Sequence, residues 1–178
     1  MKGIYLGAYT AYHPNYDIVY QDINGKRDIP GDMMDIDLFP YDYVIATPPC
    51  NYYSRAAGNK HSKYAIKTAH LLPDIIKKLN DLKKPFIVEN VRNENKFRQL
   101  GLFDYDNIYV YRIGRHTIWS SIPFYHWLPF DYEFTSKDPR WPGKCADVNG
   151  RKRKDRQGSE NVHIIVEQWL KELHEIYY

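Results

Sequence analysis

Short apolar runs, each closed by polar or turn-forming residues, alternate along this chain with two longer stretches of helical period. Residues 3–8, 17–22, 43–46 and 84–91 are rich in Ile, Val, Tyr and Phe and too short for helices, which predicts strands. Residues 9–16 are too polar and turn-rich for a helix, and 31–37 read as a turn that carries several acids. Over 64–82, Ile66, Ala69, Leu72, Ile75, Ile76 and Leu79 recur at helical spacing with lysines on the other face, which predicts one amphipathic helix. A second helix is expected over 162–176, with Ile165, Trp169, Leu173 and Ile176 on one stripe. Residues 92–100 read as a short helix or turn, and 109–112 and 115–119 as strands at a mixed sheet edge. Strand, helix and strand in alternation predict an α/β fold around a mostly parallel sheet. From 122 to 149 no period is kept, and Pro, Trp, Tyr and Asp dominate, so this stretch reads as a loop-rich surface insert.

Composition narrows the class without naming a function. At 178 residues the chain is long enough for one domain with a real core, and the expectation is a single domain over 1–178. The 17 tyrosines favour a sheet with half-exposed aromatic surfaces, most of them packing. A net charge of +3 does not by itself imply nucleic acid. The local basic run at 150–158, with Arg151 and Arg153, is the more relevant signal: such runs are usually solvated faces, but beside a reactive edge they become candidate phosphate contacts. Cys50 and Cys145 have no zinc-ligand spacing and cannot form a disulfide framework, so no metal is expected and a reducing compartment is. No apolar run reaches membrane-spanning length and the N-terminus lacks a signal peptide, which points to a cytoplasmic protein.

The chemistry gathers where strands stop. Residues 42–50 run an apolar strand into Pro48 and Pro49 and then Cys50. Prolines cannot donate to a sheet ladder and fix their own φ, so the strand must end there and hand the thiol to a rigid loop. The bland alternative is a buried structural cysteine after a turn, the commoner case for a cysteine taken at random. Two other predicted strands end on acids, Asp22 and Glu89. A carboxylate at a strand's carboxyl end is well placed to accept hydrogen bonds from a ribose, although many such acids only cap turns. In a parallel sheet Asp22, Cys50 and Glu89 would share one edge, and three such residues are harder to dismiss than one.

In that order, Pro48-Pro49-Cys50 with Ser54 four residues on, then Glu89-Asn90-Val91, resembles the DNA (cytosine-5) methyltransferase family. Residues 115–119, Arg-His-Thr-Ile-Trp, resemble its later basic segment in the variant of small phage-type or prokaryotic members, and 157–162, with Asn161, resemble its closing motif. The resemblance implies a Rossmann-like, S-adenosylmethionine-dependent methyltransferase fold. It also implies a thiolate of Cys50 that adds to carbon-6 of a flipped cytosine so that carbon-5 can take a methyl group. Glu89 would contact the ring nitrogen and exocyclic amine, and Arg115 the base oxygen. Gly7, Asp22, Asp32, Asp35, Pro48 and Asn161 would serve the cofactor, S-adenosylmethionine. Ser54, Arg55, Asn90, Arg151 and Arg153 would serve the substrate, with Asn90 more a brace than a reactant, and Tyr52, Tyr53 or Arg55 walling the base or meeting phosphate. Against the family pattern, the first glycine-rich motif is reduced to residues 5–9 around Gly7. A loop-rich insert at 120–157 stands where larger members carry a target recognition domain.

The expected function is therefore methylation of cytosine carbon-5 in DNA, in a bacterial or phage-infected cell, with specificity low, short, or supplied by a protein partner or a second copy. Two alternatives stay open. One is a methyltransferase acting on RNA or a nucleotide, since the usual DNA reader is absent. The other is a catalytically weak relative that binds DNA or a partner, for instance a phage decoy, which the reduced first motif motivates. Amino-group methylation is disfavoured, because Thr47 and Cys50 stand where those enzymes carry an Asn or Asp and an aromatic.

Overall fold

The structure is a computed structural model and describes residues 1–54, 61–113, 116–123 and 157–177, the last stretch with side chains from 162 onward. The elements in chain order are β1 (Lys2–Leu6), β2 (Asp17–Asp22), β3 (Ile29–Pro30), a 3-10 turn (Met33–Asp35), β4 (Tyr43–Ala46), α1 (Lys63–Thr68), α2 (Leu71–Leu82), β5 (Phe86–Val91), α3 (Glu94–Gln99), β6 (Tyr109–Ile113), β7 (His116–Ser120) and α4 (Gln157–Tyr177). The strands form one sheet in the order β3-β2-β1-β4-β5-β7-β6. β1 to β5 pair in parallel, and β7 pairs antiparallel with both β5 and β6. This is the α/β arrangement around a mostly parallel sheet that the strand and helix pattern predicts, and it is Rossmann-like, as the resemblance implies.

Successive side chains of a strand point to opposite faces, and here both faces are apolar, so the sheet has to be covered twice. Ile4, Leu6, Val44, Ala46, Phe86 and Val88 enter one core with Leu72, Ile75, Ile76 and Leu79 of α2 and Phe97 of α3. Their alternates Tyr5, Tyr43, Ile45 and Ile87 enter the other core with Ile165, Val166, Trp169, Leu170 and Leu173 of α4. Each fully buried Leu, Ile or Phe is worth about 1.5–3 kcal/mol relative to exposure. Two polar ties fix the antiparallel edge: Trp119 Nε1 donates to the Leu102 carbonyl at 2.7 Å, and Trp169 Nε1 to Ser120 Oγ at 2.9 Å.

Two helix expectations need correction. The stretch 64–82 is two helices, not one, and Ile66 is exposed while the buried stripe lies on α2 alone. Pro73 explains the break: it has no N–H to give to a helix continuing from α1, yet it is tolerated in the first turn of a new one. In α4, Ile165, Trp169 and Leu173 are buried as expected, but Ile176, in the last turn, is half exposed. The two-residue β3 has too short an apolar run to be read as a strand. Among the described residues no helix is long and apolar enough to cross a membrane.

Candidate active site

In a parallel sheet, ligands bind outside the carboxyl ends of the strands where the strand order reverses, here between β1 and β4. An open cleft of about 1300 Å³ lies at that place, lined among others by Gly7, Asp22, Asp32, Pro48, Cys50 and Glu89. Sequence-predicted residues from five separate segments thus share one cavity.

The β4 and β5 side of the cleft holds the thiol and the buried acid. Cys50 is half-buried and in no disulfide. Its loop is fixed by bonds from both directions. The Tyr53 and Ser54 N–H groups donate to the Cys50 carbonyl at 3.0 and 2.8 Å, which turns the chain immediately after the thiol. Asn90 Nδ2, on β5, donates to the Pro48 carbonyl at 3.0 Å, and Asn93 Nδ2, capping α3, to the Tyr53 carbonyl at 2.7 Å. Lys96 Nζ donates to the Tyr52 carbonyl at 3.1 Å and lies 3.5 Å from that ring's centroid.

Glu89 is 9 % exposed, and a carboxylate so placed needs a partner. It has one in His116 of β7, whose Nδ1 lies 2.6 Å from Glu89 Oε1. The contacting carboxyl oxygen accepts, so the imidazole gives the N–H. The other ring nitrogen, Nε2, is buried with no hydrogen-bond partner among the described residues, and His116 also lines the cleft. The pairing of β5 with β7 produces this contact: Val91 is opposite His116, which leaves Glu89 diagonal to it on the same face.

The β1 and β2 side is a lattice of side chain to backbone bonds. Gly7 has φ +69°, and a Cβ there would stand 2.7 Å from the Thr47 carbonyl oxygen, so a close passage of the two loops requires glycine. Gln21 Oε1 accepts from the Gly7 N–H at 3.0 Å while Gln21 Nε2 donates to the Gly31 carbonyl at 2.6 Å, and Thr47 Oγ1 donates to the Gly7 carbonyl at 2.8 Å. Asp22 accepts from the Tyr9 and Asn24 N–H groups at 2.9 and 3.1 Å. The first of these holds Tyr9 at φ +43°, a left-handed conformation that a non-glycine residue adopts only when its surroundings impose it. Arg27 adds donors to the Tyr9 and Ala11 carbonyls at 2.7 and 2.6 Å.

Several predicted residues are placed elsewhere. Asp32 lines the cleft but its Oδ1 accepts from the Met34 N–H at 2.9 Å as the cap of the 3-10 turn, and Asp35, one turn on, is exposed and outside the cleft lining. Asn90 is 1 % exposed, and both ends of its amide serve the backbone, Nδ2 to Pro48 and Oδ1 from the Val91 N–H at 2.9 Å. It is placed as a brace and does not line the cleft. Ser54 is half-buried outside the lining. Tyr53 is not a wall: it is 1 % exposed, packs on Phe97 and donates its hydroxyl to the Ala69 carbonyl. Arg55, Arg115, Arg151 and Arg153 lie outside the described residues, and Asn161 falls in α4 where only the backbone is described.

Sequence reading missed His116, Gln21 and the lining residues Tyr64, Lys67 and His70. The first two had a local signal, a polar residue inside or closing an apolar strand. The last three became visible only once α1 separated from α2 and faced the cleft. Compared with known proteins, the chain matches no family model and no curated protein. Among solved structures it is similar to a methyltransferase of Entamoeba histolytica, EhMeth, with 14% sequence identity and a TM-score of 0.47. That likeness covers 76% of this chain and 57% of the other, so the chain spans little more than half of the solved structure.

Proposed function

We propose that the chain is an S-adenosylmethionine-dependent methyltransferase that acts on carbon-5 of cytosine in DNA. The observation that supports it is the union, in one cleft at the carboxyl edge of the parallel strands, of a thiol on a proline-fixed loop, a buried carboxylate, and a glycine-and-acid strand pair suited to a nucleoside.

The cofactor fits the β1 and β2 side. Gly7 lets the loop after β1 turn tightly against Thr47 at the edge of the cleft, and each Asp22 oxygen accepts one backbone N–H, which leaves a second acceptor site on each for ribose hydroxyls. When bound there, the cofactor supplies an electrophilic methyl group on a sulfonium centre. Cys50 as thiolate forms a bond to carbon-6 of the base, and the displaced electron pair raises the density at carbon-5. Carbon-5, so enriched, would take the methyl group that the cofactor supplies. Loss of the carbon-5 proton to water in the open cleft and expulsion of the Cys50 sulfur from carbon-6 restore the aromatic ring. Glu89, oriented by His116, gives a proton to ring nitrogen-3 as the thiolate adds and takes it back when the sulfur leaves, so that the addition builds no unstabilised charge on the ring. The base has to leave the stack for this geometry, because carbon-6 is covered in a duplex.

The test is incubation with labelled S-adenosylmethionine and duplex DNA, single-stranded DNA or RNA, using the wild type and Cys50→Ser. Label in DNA that disappears in the variant supports the reading. Label in RNA alone transfers the same chemistry to another substrate, and transfer that survives Cys50→Ser excludes covalent catalysis by this thiol. A covalent adduct with 5-fluorocytosine DNA is expected as well, because fluorine cannot leave in place of the carbon-5 proton.

A further inference from the structure

Beside the cleft, outside the Cys50 and Glu89 pair, three donor side chains from distant parts of the chain converge. His13 lies in the loop after β1, and His163 and Glu167 sit one turn apart on the same face of α4. One donor atom from each lies within 4.8 Å of the others. His13 Nδ1 is 3.0 Å from Glu167 Oε2, and His163 Nε2 is 3.9 Å from the same oxygen. We propose that His13, His163 and Glu167 form a binding site for a divalent transition-metal ion of the zinc type.

The distances fit that chemistry. Zinc bonds of about 2.1 Å in tetrahedral geometry put neighbouring ligand atoms about 3.4 Å apart, and the two separations from Glu167 Oε2 straddle that value. Two imidazoles and one carboxylate make a borderline-soft donor set, which prefers zinc and its neighbours to magnesium or calcium. The rings of His13 and His163 are stacked, with centroids 4.4 Å apart and planes 8° from parallel, so their in-plane lone pairs do not converge as they stand. Coordination therefore requires one ring to turn about its Cβ–Cγ bond. His163, with 45% of its side chain exposed, has room to do so, whereas His13 is fully buried.

A simple hydrogen-bonded staple between His13 and Glu167 explains less. It would use His13 and Glu167 alone, and it has no need of a second histidine at the same carboxylate oxygen. A metal uses all three residues and keeps a coordination position for water. It would also tie the stretch of α4 where Val162, His163 and Ile164 line the cleft to the loop whose residues Tyr9 and Tyr12 line the same cleft. The ion would thus hold one wall of the cleft closed across elements about 150 positions apart in sequence.

The experiment is titration of the full-length, metal-stripped protein with zinc chloride by calorimetry, with cobalt(II) absorption as a second readout. Wild type and Cys50→Ser are expected to bind one equivalent alike, while His163→Ala and Glu167→Gln bind at least about tenfold more weakly. Zinc should also raise the thermal midpoint of the wild type and leave that of His163→Ala unmoved. Circular dichroism confirms that the variants fold, which the exposure of His163 favours. No zinc binding by folded wild type, or binding unchanged in both variants, overturns the site, and loss of binding in Cys50→Ser alone assigns the metal to the thiol instead. None of these readouts depends on methyl transfer, so the metal site and the methyltransferase reading stand or fall separately.

Discussion

On the β4 and β5 wall of the cleft the side chains with chemistry, Cys50 and Glu89, are held in place by other residues. On the β1 and β2 wall the side chains with chemistry are themselves what holds the backbone. Asn90, Asn93 and Lys96 fix the loop that carries Cys50, and His116 fixes Glu89. Asp22 and Gln21, by contrast, carry the loop around Gly7 and Tyr9 on their own oxygen and nitrogen atoms. A substitution on the first wall should therefore separate turnover from binding and stability. One on the second should move all three together.

The sharpest break of that comparison is Cys50→Ser. Methyl transfer should fall by at least about a thousandfold, while affinity for S-adenosylhomocysteine stays within about twofold, because the hydrogen bonds that shape the β1 and β2 wall run through Gln21, Asp22 and Thr47. Glu89→Gln comes next, with turnover lowered about a hundredfold or more, as expected for loss of a general acid or base. A parallel loss of cofactor affinity, read by calorimetry, would show that the walls are not independent.

Gly7→Ala tests the other wall. The residue stands at φ +69° with its Cβ position 2.7 Å from the Thr47 carbonyl, so the loop must move or the Thr47 backbone must give. Strain of this kind costs about 1–3 kcal/mol, visible in the denaturation midpoint, and cofactor affinity should fall with it. Asp22→Asn is milder in shape but removes the charge that accepts the Tyr9 N–H and, in the proposed function, a ribose. A weakening of about tenfold in S-adenosylhomocysteine binding is expected, together with a measurable loss of stability. Loss of affinity with stability fully retained would mean that Asp22 acts as a contact only, and the contrast between the walls would fail.

The edge of the sheet was readable because a strand's end is a local event. The apolar runs stop at Asp22, at Pro48 and after Glu89, and alternation of strand and helix brings those ends to one side. What joins residues across the sheet was not readable. His116 meets Glu89 only because β7 runs antiparallel beside β5 with a register that sets Val91 against it, and nothing near either residue encodes that register. The same holds for His13 with Glu167, separated by 154 positions. Asp32 and Asp35 looked alike in sequence, yet the 3-10 turn that Asp32 caps and Asp35 ends puts one at the cleft and the other outside it. The two-helix split at 69–70 was available in principle, since Pro73 forbids an uninterrupted helix, but the apolar spacing ran through it and outweighed it.

The smallest effect concerns the tyrosines packed under the two walls. Burial pushes the Tyr53 hydroxyl, beneath the Cys50 loop, up to about 12, and raises Tyr5 and Tyr43, beneath the donor side and in the opposite core, still further. In the unfolded chain all three titrate near 10. Between about 10 and 12 the unfolded chain therefore releases protons that the folded one keeps, so stability is full below about pH 10 and is lost as the pH rises. Each such group contributes a slope of up to about 1.4 kcal/mol per pH unit in that window. Tyr53→Phe should remove one group's share of the slope, besides the loss of the Ala69 hydrogen bond at every pH. Denaturation midpoints of wild type and variant that run parallel from pH 9 to 11.5 would mean that Tyr53 ionises freely. The Cys50 loop would then be the looser of the two walls, the reverse of what its bracing by β5 and α3 implies.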